Sequence, residues 1–467
     1  MAKITGFKSR ESYEVDMCHG PLVRQMIRFS IPLMISGMLQ LLFHAADLIV
    51  IGRFSSHEAL AAIGATGSLT SLLVNVFIGL SVGTNVLVAR YLGEKNRKET
   101  SRTVHTAVMS SFAGGIFLAI FGIMAARPVL SWMSTPPEIL DKAVLYMSIY
   151  FAGMPVIMFY NFGSAIMQAF GDTTRPFYFL LLAGVINVLL NLFFVIVFHW
   201  DVAGVAAATV ISQAVSAVLV LRVLKDMRGP CRVKWQALCV KWKNLREILW
   251  IGVPAGFQSS CFSISNVLIQ SSLNTFGSAA MAGNIAWSSV ENFGHSAINA
   301  VAQTVISFVS RNYGGRQYDR IKKVIRYALA GSCCIVFLWS VPMLIFSGPV
   351  LSIFNTNAEV IRWGILRAYC VVPFFFIAAV MQVNTGAMRG LGHSVEPSLI
   401  SIFCICILRI IWLFTIFRWH PTMTVLLIGY PVTWAFNAAG VSWLLQITLR
   451  KIIPVVSHSP RENGSNG

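Results

Sequence analysis

Residues 27–51, which read IRFSIPLMISGMLQLLFHAADLIVI, decide the fold class. The stretch is apolar over at least the roughly 20 residues that a helix needs to cross a bilayer. It nevertheless carries Gln40, His44 and Asp47, whose spacings of four and three place them on one face of a helix. A carboxylate at bilayer depth costs roughly 2.5–3.5 kcal/mol on insertion scales and usually faces a bundle interior or a watery cavity. The pattern predicts a membrane-spanning helix with Asp47 as the main functional residue, the alternative being a structural or headgroup contact.

The composition of the whole chain is that of a polytopic membrane protein. Of its 467 residues, 56% are hydrophobic and 12% are charged, and the mean hydropathy is +0.70. This balance argues against a water-soluble fold. The formal charge of +18 does not indicate a nucleic-acid partner, because the basic residues lie in short loops between apolar spans. The nine cysteines lack CxxC spacing, so small-hydrophobe packing is their expected role.

Twelve apolar spans can be counted, each far longer than the roughly ten residues of an outer-membrane β-strand. The sequence therefore predicts an all-α polytopic membrane protein with twelve transmembrane helices. The predicted spans are residues 27–51, 64–89, 104–126, 143–167, 177–198, 203–223, 248–273, 279–308, 326–347, 363–387, 397–417 and 423–447.

The distribution of basic residues predicts the orientation. The two termini and every second loop hold 29 of the 36 Lys and Arg residues, whereas the opposite loops and span ends hold six, among them Arg367. Arg409 alone lies deep inside a predicted span, away from its ends. Loops rich in Lys and Arg stay on the cytoplasmic side. We therefore expect a multi-pass protein of the cytoplasmic membrane with both termini in the cytoplasm.

An internal repeat divides the chain into two halves. Two pairs of similar stretches recur at an offset of 221 residues, and a pair of prolines recurs at 222. Each half holds an even number of predicted spans, so both halves enter the membrane from the same side, as parallel repeats do. Two such lobes can enclose a central cleft. The matching positions are residues 88–93 and 309–314, residues 169–176 and 390–397, and Pro32 and Pro254.

This repeat predicts an N-terminal six-helix lobe over residues 1–224 and a C-terminal six-helix lobe over residues 248–454. The tail at 455–467 has the composition of a disordered segment. In the linker at 225–247, five apolar residues recur at helical spacing among basic ones. That pattern predicts an amphipathic helix on the anionic cytoplasmic leaflet, with a plain connector as the equal alternative.

Polar side chains in other N-terminal spans fall at positions that can face Asp47. Asn187 and Asn191 are four residues apart in the fifth span, Asn161 lies in the fourth and Thr209 in the sixth. We predict that they form one polar pocket whose hydrogen bonds accommodate Asp47 with or without a charge. The alternative is that such groups only hold helices together, at about 0.6 kcal/mol per contact.

Glu291 is the other acidic residue deep within a span. It lies on a polar stripe with Asn284, Ser288 and His295 in the eighth span, and Arg409 lies in the eleventh. Because an unpaired charge at that depth is costly, Glu291 and Arg409 are predicted to pair. A structural lock is the favoured role of this pair, and ion coupling by Glu291 is the alternative.

The sequence lacks the usual enzyme signatures. It has no GxxxxGK[ST] phosphate loop, no HExxH, no GxSxG and no metal-ligand cluster. We therefore expect no enzymatic activity and no cofactor. The pattern favours a transporter driven by an ion gradient or by the substrate's own gradient. Its expected partners are small-molecule substrates and the bilayer, with no obligatory protein partner.

Six short motifs, spread over essentially the whole chain, carry a family resemblance. They are IP at 31–32, ADLIVIGR at 46–53, LAAIG at 60–64, GDTTRP at 171–176, VAGVAAAT at 202–209 and RGLG at 389–392. In order and spacing they resemble the MATE (multidrug and toxic compound extrusion) transporters.

This resemblance implies two six-helix lobes that open alternately to each side of the membrane. It also implies export of bulky, often cationic drugs or toxic compounds against an inward flow of protons or sodium ions. In the family the first-span acid, here Asp47, is central to cation coupling, and Pro32 matches the proline at which the first helix bends. The matching neighbours of the acid are Asn161, Asn187, Asn191 and Thr209.

The chain also departs from the family pattern. Many members carry an acid in the fifth span where Asn191 stands here. The branch that binds sodium in its second lobe uses acids in spans seven and ten, and both spans lack Asp and Glu here. These departures leave proton and sodium open as the coupling ion.

Other functions are weighed against an exporter. A flippase for lipid-linked precursors, a function of related folds, should line its cleft with several basic residues, and only Arg409 lies deep within a predicted span. A membrane-embedded glycosyltransferase would need a large polar loop with catalytic acids, and the longest loop here is the linker. The two-lobe repeat disfavours a passive channel.

Overall fold

The computed structural model describes residues 13–133, 135–227 and 229–452, and the predicted disordered tail lies outside them. This part of the chain is almost entirely helical, as the sequence predicts. The α-helices are α1 Leu22–Phe54, α2 His57–Gly93, α3 Arg97–Trp132, α4 Pro137–Ala152, α5 Met154–Phe170, α6 Thr174–Leu192, α7 Asp201–Asp226, α8 Trp242–Leu273, α9 Ser278–Gly314, α10 Tyr318–Ile345, α11 Ser347–Ser352, α12 Ala358–Val371, α13 Phe375–Gly390, α14 Val395–Ser401, α15 Leu408–Phe414, α16 Ile416–Trp419 and α17 Met423–Ile452.

Local sequence explains several of the helix boundaries. The side chains of Ser56, Asn96 and Asn357 accept hydrogen bonds from backbone N–H groups of the first turns of α2, α3 and α12. Such caps satisfy donors that have no partner within a helix. A 47° bend separates α4 from α5 near Pro155, which has no backbone N–H to continue the helical ladder.

The helices of the described chain are those of a membrane protein. Nine spans in it are long and apolar enough to cross a bilayer, and there are ten if the bent pair α4 and α5 forms one span. The long helices α8 and α9 are not among the nine, although they have 32 and 37 residues. The predicted number of twelve spans therefore stays a prediction.

The two halves of the chain meet along pairs of long helices. α2 packs along α8, and α1 and α2 both pack on α9. In the first of these interfaces, Gly79 and Gly83 of α2 face the backbone of α8 at Gly252 and Gly256, where a β-carbon would overlap with main-chain atoms. The Gly79–Gly83 pair is the GxxxG spacing that permits close helix approach in membranes.

The lobes are held together at one end of the bundle, which we call the basic end. This end carries the N-terminal segment, the linker and the loop between α9 and α10. There the backbones of Gly93 and Gly314 approach the other lobe so closely that neither position has room for a β-carbon. Nearby, Asn85 and Ser307 exchange two hydrogen bonds of 3.0 and 3.1 Å. The basic end is therefore closed.

The segment before α1 strengthens this closure by touching both lobes. The N–H of Val15 donates to the carbonyl of Gly171 at 3.1 Å, and Asn312 Nδ2 donates to the carbonyl of Met17 at 3.0 Å. Val15 and Met17 are buried. The opposite end instead carries contacts within the N-terminal lobe, such as the 2.7 Å ion pair of Lys142 with Glu58.

The linker differs from the predicted amphipathic helix. Its residues 225–226 end α7 and its residues 242–247 begin α8, and between them the described residues are non-helical except for one short 3-10 turn at Trp235–Ala237. The N–H of Lys234 donates to His105 Nε2 at 3.0 Å, and the N–H of Lys241 donates to Thr106 Oγ1 at 3.2 Å. Side chains of α3 thus bind the donors that a helix would use internally. The prediction of an amphipathic helix is wrong, and the segment fits the plain connector.

Candidate functional site

A small cavity of about 140 Å³ lies inside the N-terminal lobe between α1, α6 and α7. A water molecule occupies about 30 Å³ of liquid, whereas pockets for drug-sized ligands measure roughly 300–1,000 Å³. The cavity therefore suits an ion with a few waters and is too small for a drug-sized compound. Its polar lining residues are Gln40, His44, Asp47, Asn187, Thr209, Ser212 and Gln213.

The carboxylate of Asp47 is joined to α6 and α7 by a chain of amides. Asn191 Nδ2 donates to Asp47 Oδ1 and lies 3.4 Å from Asn187 Oδ1, and Asn187 Nδ2 donates to Thr209 Oγ1 at 3.3 Å. Asn187 and Asn191 reach α1 together because they are one helical turn apart. No Lys or Arg of the described chain forms an ion pair with Asp47.

The side chains around this carboxylate present more hydrogen-bond acceptors than donors. Asn191 Oδ1 and Gln213 Oε1 are buried and have no hydrogen-bond partner. Thr209 Oγ1 gives its own proton to the carbonyl of Val205, so toward the cavity it offers lone pairs. Hard cations prefer oxygen ligands, and a carboxylate away from water needs a counter-charge or a proton. The chemistry of the cavity therefore suits a sodium ion or a proton.

Most of the residues predicted for this pocket come together, and one does not. Gln40 and His44 line the cavity from α1, on the same face as Asp47. Asn161 instead donates to its own helix, at the carbonyl of Ile157, and lines a second, larger cavity. Gln40 of α1 and Leu180 of α6 border both cavities, so the two cavities adjoin along these helices. The functional roles of these residues stay predictions.

One feature of the cavity wall was not predicted from the sequence. The ring of Phe43 lines the cavity and lies against Gly184 so closely that a β-carbon there would overlap with it. Gly184 is on the same face of α6 as Asn187 and Asn191, at helical spacings of three and seven, so this spacing was the available signal. Because Gly184 has no side chain, α1 can pack closely against α6 at this point.

The larger cavity lies between the two lobes, with a volume of about 690 Å³. Its walls come from α1, α2, α5 and α6 of the first half and from α8, α9 and α13 of the second. The volume falls within the range of pockets for drug-sized ligands. Toward the basic end it stops near Asn85, whose hydrogen bonds with Ser307 join the lobes.

In the second half, the predicted pair of Glu291 and Arg409 is wrong. Glu291 pairs instead with Arg367, through contacts of 2.6 and 3.0 Å, and Arg367 also donates to Asn284 Oδ1 at 2.5 Å. The sequence predicts a span that starts at residue 363, which puts Arg367 near the end of that span. In the structure α12 starts at Ala358, so the guanidinium is inside the lobe and 5% exposed.

Arg409 is stabilised without a carboxylate in the described part of the chain. Its guanidinium donates to Asn266 Oδ1 at 3.2 Å and to Ser265 Oγ at 3.3 Å, and lies 4.5 Å from the centre of the Tyr430 ring. Neutral dipoles and an aromatic face can hold a cation in a partly desolvated site. Arg409 does not line the cavity between the lobes.

Pro32 lies inside α1, which continues through it from Leu22 to Phe54. Proline removes one backbone hydrogen bond and lets a helix bend. It is located between the basic end and the cavity wall formed by Gln40. Its role as a hinge stays a prediction.

Comparison with known proteins supports this architecture at the level of sequence. The MatE family profile matches residues 32–193 and 254–415, so both halves match it at the repeat offset. The chain is 26% identical over 438 residues to the probable multidrug resistance protein YoeA of Bacillus subtilis, covering 92% of this chain and 94% of that protein. It is 24% identical to the FAD transporter of Shewanella oneidensis, covering 88% and 92% of the two chains.

Solved structures share the fold. A MATE protein in complex with MaL6 superposes with a TM-score of 0.88 at 21% identity, covering 95% of this chain and 99% of that one. An outward-facing multidrug resistance MATE transporter of the MOP superfamily also gives 0.88, at 22% identity, covering 94% and 98%. Because the profile matches most of the chain in two repeats, the protein belongs to the MATE family.

Proposed function

We propose that the protein is a cation-coupled antiporter that exports drug-sized organic compounds by alternating access. The observation that carries this proposal is the placement of Asp47 in a cavity of ionic size beside a larger cavity between the lobes. Helix α1 contributes residues to both cavities, with Gln40 bordering each of them. Multidrug resistance proteins among the relatives support export of organic compounds.

Coupling follows from the need of Asp47 for a positive partner. With a proton or a sodium ion bound, the small cavity is electrically balanced; without it, a charged carboxylate faces acceptor oxygens and one amide donor, from Asn191. The two states favour different positions of α1 relative to α6 and α7. Because α1 also walls the large cavity, cation and substrate bias the same two-state element, as antiport requires.

We further propose that the basic end faces the cytoplasm of the cell, so both termini are intracellular. The excess of Lys and Arg in its loops supports this orientation. In the closed arrangement of the basic end, the cavity would then release substrate outward. Uptake of substrate requires the contacts between Asn85 and Ser307 to break. No enzymatic step and no bound cofactor is part of this proposal.

The test is Asp47→Asn in proteoliposomes, with 5-carboxyfluorescein and ethidium as transported dyes and proton and sodium gradients imposed separately. Asparagine has nearly the same shape as aspartate but cannot carry the charge. We expect gradient-driven efflux to fall to background, at least tenfold, while expression and melting temperature stay near wild type. Gln213→Glu is the matched variant, because it adds a negative charge to the same cavity from which Asp47→Asn removes one.

Near-normal efflux by a folded Asp47→Asn protein contradicts the coupling role of Asp47 and makes Glu291 the next candidate. If efflux by the wild-type protein does not depend on either the proton or the sodium gradient, ion coupling is contradicted. A flippase remains the alternative function, and dye-independent scrambling of a lipid-linked precursor across the same vesicles is its distinguishing result.

A further inference from the structure

The cavity between the lobes has an unusual charge balance for a site expected to take cationic compounds. Among the described residues that line it, none is Asp or Glu, and ten are Asn or Gln. The side chain with a permanent charge in that lining is Arg389. Asp47, the nearest acid on α1, lines the separate small cavity. A cation in the large cavity would find amide dipoles and a guanidinium, and no counter-charge.

Arg389 is incompletely satisfied by the protein. Its Nη2 donates to Gln258 Oε1 at 2.7 Å, and the same oxygen accepts a hydrogen bond from Ser398 Oγ at 3.0 Å. Its Nε is buried and has no partner. No carboxylate of the described chain forms an ion pair with it. Arginine presents a planar fork of donors that matches carboxylates and phosphates.

A helix-terminal role does not account for this placement. Arg389 is in the last turn of α13, where a basic residue can offset the helix dipole. Its guanidinium, however, is directed across to α8 at Gln258 and borders the cavity. A surface cation would serve the dipole without the cost of desolvation.

The repeat shows that this charge is specific to one lobe. At the offset of 221 residues, the counterpart of Arg389 is Gln168, which also lines the large cavity. Conversely, at the offset of 222 residues the counterpart of Asp47 is Ile269. The negative charge thus lies in the small cavity of the first lobe, and the positive charge on the wall of the large cavity in the second.

We propose that the substrate of the large cavity is an organic anion, with a carboxylate, sulfonate or phosphate group that binds the guanidinium of Arg389. The neutral remainder of the molecule is held by the amide side chains around it. This inference rests on the proposed function for the claim that the bound molecule is transported, and it replaces the cationic substrates that the family resemblance implies.

The test measures equilibrium binding to purified protein without any gradient. The probes are 5-carboxyfluorescein, an anion, and ethidium, a cation. We expect wild type to bind 5-carboxyfluorescein more tightly than ethidium. Arg389→Gln, which copies the residue of the other repeat, should weaken 5-carboxyfluorescein binding about tenfold or more and leave ethidium binding unchanged or stronger. Arg389→Lys should restore part of the loss, and Gln168→Arg should tighten binding of the anion.

Arg409→Gln is the matched control, because it removes a buried charge of the same lobe that does not line the cavity. Equal losses for both dyes in Arg389→Gln, or the same loss in Arg409→Gln, would overturn the proposal in favour of a structural role. Tighter binding of ethidium than of 5-carboxyfluorescein by wild type also overturns it. Selective anion binding without gradient-driven efflux upholds this inference and contradicts the proposed function alone.

Discussion

The Glu291–Arg367 pair places two full charges in an apolar lobe, with both residues less than a tenth exposed. Removing water from each charge costs several kcal/mol, which their attraction offsets only where the geometry is good and further hydrogen bonds are made. Arg367 meets this condition with two contacts to the carboxylate and one to Asn284. Loss of one partner therefore leaves an uncompensated buried charge.

We predict that Glu291→Gln and Arg367→Gln each destabilise the protein by about 3–5 kcal/mol, and that the double variant loses clearly less than the sum. Melting of the purified protein followed by fluorescence measures this. The control is Glu291→Gln combined with Arg175→Gln, which removes a cation paired with Asp172 in the other half of the chain, so the two losses should simply add. Additive losses for Glu291 and Arg367 would contradict their pairing.

Much of the small cavity could be predicted from the sequence because polar groups stand out in apolar spans. Asp47, Asn187, Asn191 and Thr209 come together as their helical spacing indicates. The partner of Glu291 could not be predicted in this way. Pairing between distant helices depends on their rotation and their offset along the bundle axis, and a helix start misplaced by five residues moved Arg367 from the interior to an edge.

Among the elements, the contact of α2 with α8 depends on the absence of side chains. A β-carbon on Gly83 would lie 2.5 Å from the carbonyl oxygen of Ile248, and one on Gly252 would lie 2.5 Å from the α-carbon of Leu80. Main-chain atoms cannot rotate away as a flexible side chain can. The GxxxG spacing of Gly79 and Gly83 indicates close approach of some helix, but the spacing alone does not identify α8 as the partner.

We predict that Gly83→Ala and Gly252→Ala each destabilise the protein by about 1–3 kcal/mol, because the two helices must separate. The matched control is Gly331→Ala in α10, where a β-carbon would meet no atom within 4 Å. There alanine is the better helix former, by up to about 1 kcal/mol, so stability should hold or rise. Melting temperatures that fall equally at all three positions would contradict the packing argument, because a β-carbon at Gly331 meets no neighbouring atom and alanine favours the helix there.

In the linker, contacts with α3 outweigh the local preference for a helix. Its apolar residues recur at helical spacing, yet α3 binds its backbone donors through His105 and Thr106. Tertiary hydrogen bonds outweigh a weak local preference, and only the folded lobe reveals them. By contrast, the long apolar helices could be predicted without knowing their neighbours. In a bilayer, the backbone N–H and C=O groups of each spanning segment must form hydrogen bonds within that segment.

For the whole molecule, the contacts between the lobes stabilise the arrangement in which the basic end is closed. The hydrogen bonds of Asn85 with Ser307 and of Ser30 with Thr304, at 2.7 Å, lie toward the basic end, together with the N-terminal segment. Each such bond contributes about 1 kcal/mol. Alternating access requires the arrangement without these bonds to be only a few kcal/mol less stable, so removing them should change the populations measurably.

We therefore predict that a cysteine placed at Gln168, on the floor of the large cavity, reacts with an impermeant thiol reagent from the outside only. In a background without native cysteines, Gly348→Cys and Pro421→Cys report the outside, and Lys241→Cys reports the inside. Adding Asn85→Ala and Ser307→Ala removes two hydrogen bonds that join the lobes near the closed basic end. Labelling of Gln168→Cys from the inside should then rise at least fivefold, with the reference positions unchanged. Inside labelling that stays at wild-type level means that these bonds do not hold the gate, and inside labelling at Gly348 reverses the orientation.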